Sequence, residues 1–188
     1  MKSKTIIILG LIITTISSIL IIKDKYNEYN AGKEAKKILN LIEKINIPTE
    51  SNNKELDTVN IKGYDYIGTI SIPVLEISLP VLDTWDYKRL KIAPCLYYGN
   101  SIENMIICAH SYKTHFKDIG KLKQEDYIIF TDIHENEYVY EVEEIEILSS
   151  TDVEKMINTN FNLTLYTCTN DAINRITVRC NLVNNLTF

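Results

Sequence analysis

The sequence predicts a mainly β fold, closed into a barrel or folded as a sandwich, with one long helix ahead of it. Two observations in the chain carry this expectation. Residues 5–22 contain no charge, whereas from about Ile61 onward short runs rich in Val, Ile, Thr and Tyr alternate with turn residues. Size is a third: 188 residues, 45% hydrophobic and 24% charged with only 6 Gly and 4 Pro, make a chain that folds, with room for one ordinary domain plus accessories. That excludes a two-domain dinucleotide-binding enzyme. A net charge of -5 without a Lys/Arg-rich run leaves nothing to hold nucleic-acid phosphates, so no nucleic-acid partner is expected.

The elements follow in order. After a stub of residues 1–4, Thr5 to Ile22 contains twelve Ile or Leu, one Gly and five Ser/Thr. As a helix these 18 residues reach about 27 Å, nearly the hydrocarbon thickness of a bilayer. Twelve Ile/Leu favour insertion by roughly 4 to 7 kcal/mol, partly offset by the hydroxyls. A cleaved signal peptide would need a small-x-small site near the end, yet the stretch closes Ile19-Leu20-Ile21-Ile22-Lys23. A buried core helix would need an amphipathic stripe, which is missing. Residues 5–22 are therefore expected to be a transmembrane signal-anchor. Lys2, Lys4 and the terminal amine, against Lys23 and Lys25 diluted by Asp24, orient it with the N-terminus inside and the rest outside.

Residues 23–60 are expected to form a helical stalk and linker. Ala31, Ala35, Ile38, Leu39, Leu41, Ile42 and Ile45 recur at a mixed spacing of three and four, which predicts a helix to about Ile45. Asn46 to Thr58 is polar with Pro48 and several Asn, a linker. The β domain is placed at residues 61–188. Its expected strands are Tyr66 to Ile72, Glu76 to Leu82, Met105 to Ala109, Tyr127 to Thr131, Glu137 to Leu148, Leu163 to Cys168 and Arg175 to Leu182. Thr114 to Leu122 and Thr151 to Asn158 are expected as short helices. Seven or eight strands in so short a stretch point to the closed barrel or sandwich.

Three His and four Cys are the residues able to supply a nucleophile and its base. His110 ends the apolar run Met-Ile-Ile-Cys-Ala-His, and Cys168 ends Leu-Thr-Leu-Tyr-Thr-Cys. Each stands where a buried strand gives way to a loop, the usual place for reactive groups on a rigid scaffold. Strand parity places Leu163 and Leu165 inward and Thr164, Tyr166 and Cys168 on the opposite face. The same alternation buries Cys180 with Ile176 and Val178, and puts Arg175 and Arg179 outside. With Thr169 to Asn174 as a hairpin loop, Cys168 pairs with Arg175 and Thr164 with Arg179. Arg175 is then the cation beside the thiol, and Arg179 lies about 13 Å further along.

Thr-Leu-Tyr-Thr-Cys-Thr with Arg seven positions after the Cys, and Ala-His-Ser-Tyr upstream, resembles the signature of sortases, membrane-anchored cysteine transpeptidases of Gram-positive bacteria. The resemblance runs from about Tyr66 to Val183 and includes Tyr-Ile-Gly-Thr-Ile-Ser-Ile-Pro and Ile-Ser-Leu-Pro-Val. It implies a closed eight-stranded sortase-type β-barrel. It also implies that Cys168 attacks an LPXTG-like sorting signal between Thr and Gly to give a thioacyl enzyme, which an amine of the cell-wall precursor or another acceptor releases. By the same resemblance Cys168 is the nucleophile, His110 the acid/base and Arg175 the group at the substrate carbonyl or oxyanion, with no cofactor. The short linkages between strands look closer to the compact housekeeping or class D types than to class B. The chemistry itself needs such a trio, because amide cleavage requires a nucleophile, a proton for the departing amine and a positive partner for the carbonyl oxygen. With ordinary pKa values, thiolate and imidazolium would coexist in under about 1% of molecules at pH 7.

The rival readings are a metal site, a disulfide framework and a catalytically inactive membrane-anchored β-barrel that binds peptides or a protein partner. Cys108, His110, His115, Cys168 and Cys180 match no zinc spacing, and no Cys-x-x-Cys occurs. Cys180 and Cys168 face opposite ways, and Cys95 and Cys108 read as small apolar groups in a core large enough to stand without disulfides. His115 and His134 are expected at the solvent. Trp85 is expected to cap the barrel rather than line a groove. Asp83, Asp86 and the run Glu141 to Glu146 lack calcium-ligand spacing and are expected as a solvated face.

Overall fold

A computed structural model describes residues 2–45 and 55–183 of the chain. The predicted linker falls largely on residues 46–54, outside that range. One uninterrupted helix, α1 (Lys2–Ile42), opens the structure. Its large apolar residues from Ile6 to Ile22 are all exposed. The hydroxyls among them fold back onto the helix: Thr14, Thr15, Ser17 and Ser18 each donate to a carbonyl three or four residues earlier, at 2.8 to 2.9 Å. Such back-bonding removes the polar groups that hydrocarbon would penalise. Further along, Ala31, Ala35 and Ile38 are buried against the β domain at the i, i+4, i+7 spacing of a helix face. The stalk therefore packs on the barrel.

The strands are β1 (Val59–Ile61), β2 (Tyr64–Ile72), β3 (Ile77–Leu82), β4 (Cys95–Tyr98), β5 (Met105–Cys108), β6 (Tyr127–Asp132), β7 (Glu137–Ser149), β8 (Leu163–Cys168) and β9 (Asn174–Leu182). They form one sheet in the order β1-β2-β3-β4-β5-β8-β9-β7-β6, and a second pairing, β2 with β6, closes it. Eight strands, β2 to β9, make the closed barrel, and β1 is a hairpin partner added to the start of β2. Closure removes the free edges that an open sheet would present. Ile70, Ile107, Phe130, Leu165 and Val178 fill the interior. A second cluster outside the wall, Tyr66, Leu82, Ala93, Cys95 and Cys108, is covered by Ile38 of α1.

The strands differ from the expectation in two places. β1 and β4 are additional, each too short to show a period in the sequence. Thr114 to Leu122 is not an α-helix: it turns tightly and makes a single 3-10 turn at Ile119–Lys121. Its buried residues Phe116, Ile119 and Leu122 are spaced by three, the period of the 3-10 form, and Gly120 weakens any α-helix there. The second short helix does form, as α2 (Val153–Ile157).

Arg179 fixes α2 to the barrel. It is 2% exposed on the outer face of β9. Its guanidinium donates to Glu146 (2.9 Å), to the carbonyls of Met156 (3.1 Å) and Lys155 (2.7 Å), and to Thr164 Oγ1 (3.0 Å). A buried charge so fully paired is tolerated because each donor has a partner. Glu146 thus departs from the solvated face expected for residues 141–146.

Closure depends on one glycine. Gly68, φ +149°, pairs with Val81 of β3 and Asp132 of β6 at once. A Cβ there would stand 2.2 Å from the Thr131 carbonyl oxygen. Gly68→Ala is expected to lower stability by on the order of 3 kcal/mol in denaturant titration. Gly63→Ala, in the β1–β2 turn at φ +82° with nothing within 4 Å, is expected to cost only about 1 kcal/mol.

Candidate active site

Three adjacent strands place the candidate residues at one level. β8 and β9 are antiparallel with Cys168 directly opposite Arg175 and Thr164 opposite Arg179, the register read from the sequence. β5 and β8 are parallel, with Cys108 level with Tyr166. The alignment continues past the end of β5: the Ala109 N–H donates to the Tyr166 carbonyl (3.2 Å), and Thr167 Oγ1 donates to the Ala109 carbonyl (2.8 Å). Ala109 is therefore held beside Thr167, and His110 is the next residue of the chain, two positions past the end of β5. Parity puts Cys108, Tyr166 and Cys168 on the outer face, with Thr167 turned inward and 1% exposed.

Cys168 is half-buried at the bottom of an outer groove of about 170 Å³ that Arg175 also lines. One wall is aromatic: Trp85 lies against Tyr97 (ring centroids 5.5 Å) and Tyr97 against Tyr166 (5.4 Å, edge-on). The other is α2 with the segment before it, through Ser149, Asp152, Val153 and Met156. Trp85 thus lines the groove, contrary to the capping role expected of it. Asp83 and Asp86 both pair with Arg89, at 2.8 and 3.4 Å, which pins the segment carrying Trp85 beside Tyr97. Sequence reasoning missed Tyr97 and Met156 as well; the short apolar run Cys95-Leu96-Tyr97-Tyr98 after Pro94 is the available signal for Tyr97.

Among the described residues no hydrogen bond joins the Cys168 thiol to His110 or Arg175. Arg175 Nη1 instead donates to the carbonyls of Asn174 (3.0 Å) and Ala172 (3.4 Å) in its own hairpin. Such bonds commonly tighten only once substrate is bound. The His110 ring stacks on Tyr112 (4.7 Å, 20°). Burial and then the charge of Lys91 lower its pKa, while Asp24 of α1 opposes them. Neutral imidazole, able to accept a proton, is the favoured form. Cys108 beneath it is a structural thiol, pushed up to about 12 by burial, and burial raises the Cys95 and Cys180 thiols further still. Among the described residues no group of His, Cys, Asp and Glu has the geometry to hold a metal ion.

His115, expected at the solvent, is 1% exposed, and neither ring nitrogen has a hydrogen-bond partner. It lies behind Tyr112 (5.6 Å) where α1 covers the loop. His134 is likewise not free in solvent: its ring bonds Asp57 at 2.9 Å.

The chain matches a family model described as the sortase domain over residues 70–183, more than half its length. It is 25% identical over 159 residues to sortase A of Bacillus anthracis, covering 75% of each chain. Among solved structures it is similar to sortase C1 of Streptococcus agalactiae (27% identity, TM-score 0.59, covering 67% of this chain and 72% of that one). It shares its fold with a sortase D5 transpeptidase of Clostridium perfringens (20%, TM-score 0.62, 81% and 97%) and with sortase A of Corynebacterium diphtheriae (21%, TM-score 0.59, 85% and 86%).

Two outcomes are expected from this geometry. Iodoacetamide should modify Cys168 in the folded protein and spare Cys95, Cys108 and Cys180, each no more than 2% exposed, as read by peptide mass mapping. Burial lowers the His115 pKa from 6.5 to about 4. Between those values the unfolded chain binds a proton that the folded chain does not. Stability therefore falls as pH drops from 6.5 toward 4, by up to about 3 kcal/mol. Denaturation of the detergent-solubilised chain at stepped pH should show that slope, and His115→Phe should flatten it.

Proposed function

The chain belongs to the sortase family, and from that premise we propose that it is a membrane-anchored cysteine transpeptidase acting on sorting signals similar to LPXTG. The observation that supports the proposal is the register that sets Cys168 opposite Arg175 on β8 and β9 and holds Ala109, the residue before His110, beside Thr167, at a groove that Cys168 and Arg175 both line. The family supplies transpeptidase chemistry in general, and the residues of this chain supply its parts.

His110, held mostly neutral, takes the proton of the Cys168 thiol. The thiolate attacks the carbonyl carbon of the scissile bond, and Arg175 turns from its hairpin carbonyls to bind the oxygen as it gains charge. The carbon–nitrogen bond breaks, His110 returns its proton to the leaving amine, and a thioester on Cys168 remains. An acceptor amine attacks that thioester as His110 takes its proton; the carbon–sulfur bond breaks, and His110 returns the proton to the departing thiolate to restore the thiol. The apolar and aromatic wall at Trp85, Tyr97 and Met156 shields the thioester from water.

α1 fits a single-pass anchor, with exposed apolar residues and internally bonded hydroxyls. The proposed orientation places residues 1–4 in the cytoplasm and residues 61–188 outside, where secreted sorting signals and cell-wall amines meet.

The test is cleavage of a panel of fluorogenic sorting pentapeptides. Cys168→Ala is expected to abolish it, His110→Ala to slow it by about 10² to 10⁴-fold, and Arg175→Ala by about 10² to 10³-fold. Loss of cleavage with folded Arg179→Lys but not with Arg175→Ala would overturn the assignment of Arg175, and cleavage by Cys168→Ala would overturn the mechanism.

A further inference from the structure

The barrel is not held away from the apolar segment of α1 by any spacer. Contacts between α1 and the loop after His110 begin almost at once. Asp24, two residues past Ile22, acts electrostatically on both His110 and Tyr112. Glu28, six residues past it, accepts the Lys113 backbone N–H with its carboxylate, and its carbonyl accepts Thr114 Oγ1 at 3.3 Å. One turn later Gly32 packs so closely that a Cβ would meet Thr114 Cγ2 at 2.8 Å. At about 1.5 Å per residue, Asp24 and Glu28 stand only about 3 and 9 Å beyond Ile22 along the axis. A headgroup layer is about 5 to 8 Å thick. The uncharged stretch of 18 residues, about 27 Å, is slightly shorter than the usual hydrocarbon core, so it has no reason to tilt, and axial distance approximates depth.

The charge at this level is opposite to that of the whole. The chain carries -5, but exposed Lys23, Lys25, Lys113 and Lys117 flank two carboxylates here, Asp24 and Glu28, and exposed Lys91 lies just beyond, beside Asn27 and Glu34. Lys25 pairs with Glu28 at 2.8 Å, Lys117 acts on the same carboxylate, Lys113 bonds it through its backbone, and Lys91 acts on His110. We propose that α1 residues 23–28 and loop 110–117 form a basic collar that rests on the anionic phospholipid headgroups of the bilayer in which α1 sits, so that His110 and the mouth of the site work at the membrane surface. This rests on α1 spanning the membrane. It assigns a partner, the lipid surface itself, to a face of the catalytic domain rather than to the anchor alone.

The test uses the full chain in vesicles with Cys168→Ser, an introduced cysteine carrying a fluorophore, and lipid spin-labelled at the headgroup as quencher. The probe goes on Tyr26→Cys at headgroup depth, on Lys113→Cys in the collar, or on exposed Asn40→Cys, about 27 Å beyond Ile22. In phosphatidylcholine–phosphatidylglycerol vesicles, quenching is expected at Tyr26→Cys and Lys113→Cys and not at Asn40→Cys. A lysine at an anionic surface shifts the contact equilibrium by about five-fold. Pure phosphatidylcholine, high salt, or Lys117→Gln with Lys91→Gln should each reduce quenching at the Lys113→Cys probe and leave Tyr26→Cys unchanged. Quenching at Tyr26→Cys with a Lys113→Cys probe that behaves like Asn40→Cys overturns the collar and leaves the span intact. Quenching at Lys113→Cys indifferent to lipid charge and to the lysine substitutions overturns the electrostatic recognition. A chain that does not float with the vesicles and is quenched at no position overturns the span, and the collar with it.

Discussion

Two hydrogen bonds keep β5 and β8 in step for one residue beyond the end of β5, from the Ala109 N–H to the Tyr166 carbonyl and from Thr167 Oγ1 to the Ala109 carbonyl. The whole site depends on that extra step. β8 and β9 are joined by a short hairpin, so their register follows from the chain itself. β5 and β8 are parallel, 54 residues lie between Cys108 at the end of β5 and Leu163 at the start of β8, and nothing local sets their alignment. Thr167 does so with an inward, fully buried hydroxyl whose one acceptor is the residue before His110. A shift of one residue there would turn His110 toward the interior and away from the thiol.

Arg175 and Arg179 show how much the same face of one strand can differ over four residues. Both point outward from β9. Over Arg179 lies α2, whose last carbonyls need partners, and Glu146 and Thr164 complete a buried network around the guanidinium. Over Arg175 lies the open groove, and among the described residues its guanidinium bonds carbonyls of its own hairpin. The first arginine builds the groove wall, since α2 carries Val153 and Met156 into it. The second lines the groove itself. Charge alone would not separate them; what each has above it does.

Much of this was legible in the sequence where the controlling interaction is local. Alternation in β8 and β9 together with a loop of fixed length gives the Cys168–Arg175 pairing directly, and the apolar run at residues 5–22 announces itself. What was not legible depends on distant parts of the chain. His115 sits in a polar, loop-like context, yet α1, more than 80 residues earlier, closes over its loop and buries it. Trp85 follows a strand among charged residues, and only the pairing of Arg89 with Asp83 and Asp86 folds it over Tyr97. β4 has four residues and a single pairing with β3, at Leu82 and Cys95, too few for a period to register. The roles of His110, Cys168 and Arg175 are what the resemblance implies, and the strand register sets Cys168 opposite Arg175 and Ala109, the residue before His110, beside Thr167.

α1 meets two solvents in one continuous run of 41 residues, about 62 Å. Its first half satisfies its own hydroxyls and shows Ile and Leu on every side, as hydrocarbon requires. Its second half shows a narrow stripe of Ala31, Ala35 and Ile38 to the barrel, small residues that let the helix lie close, with Gly32 against Thr114 closest of all. No break separates the halves, and a continuous helix transmits position along its axis. In the proposed anchor, the depth at which Ile22 leaves the hydrocarbon would set the height of Glu28, and through Glu28 that of the loop at Lys113, which begins at His110. If α1 is the anchor and His110 the base, as proposed, helix geometry fixes the reaction plane relative to the bilayer, and the strand register sets the thiol opposite the guanidinium.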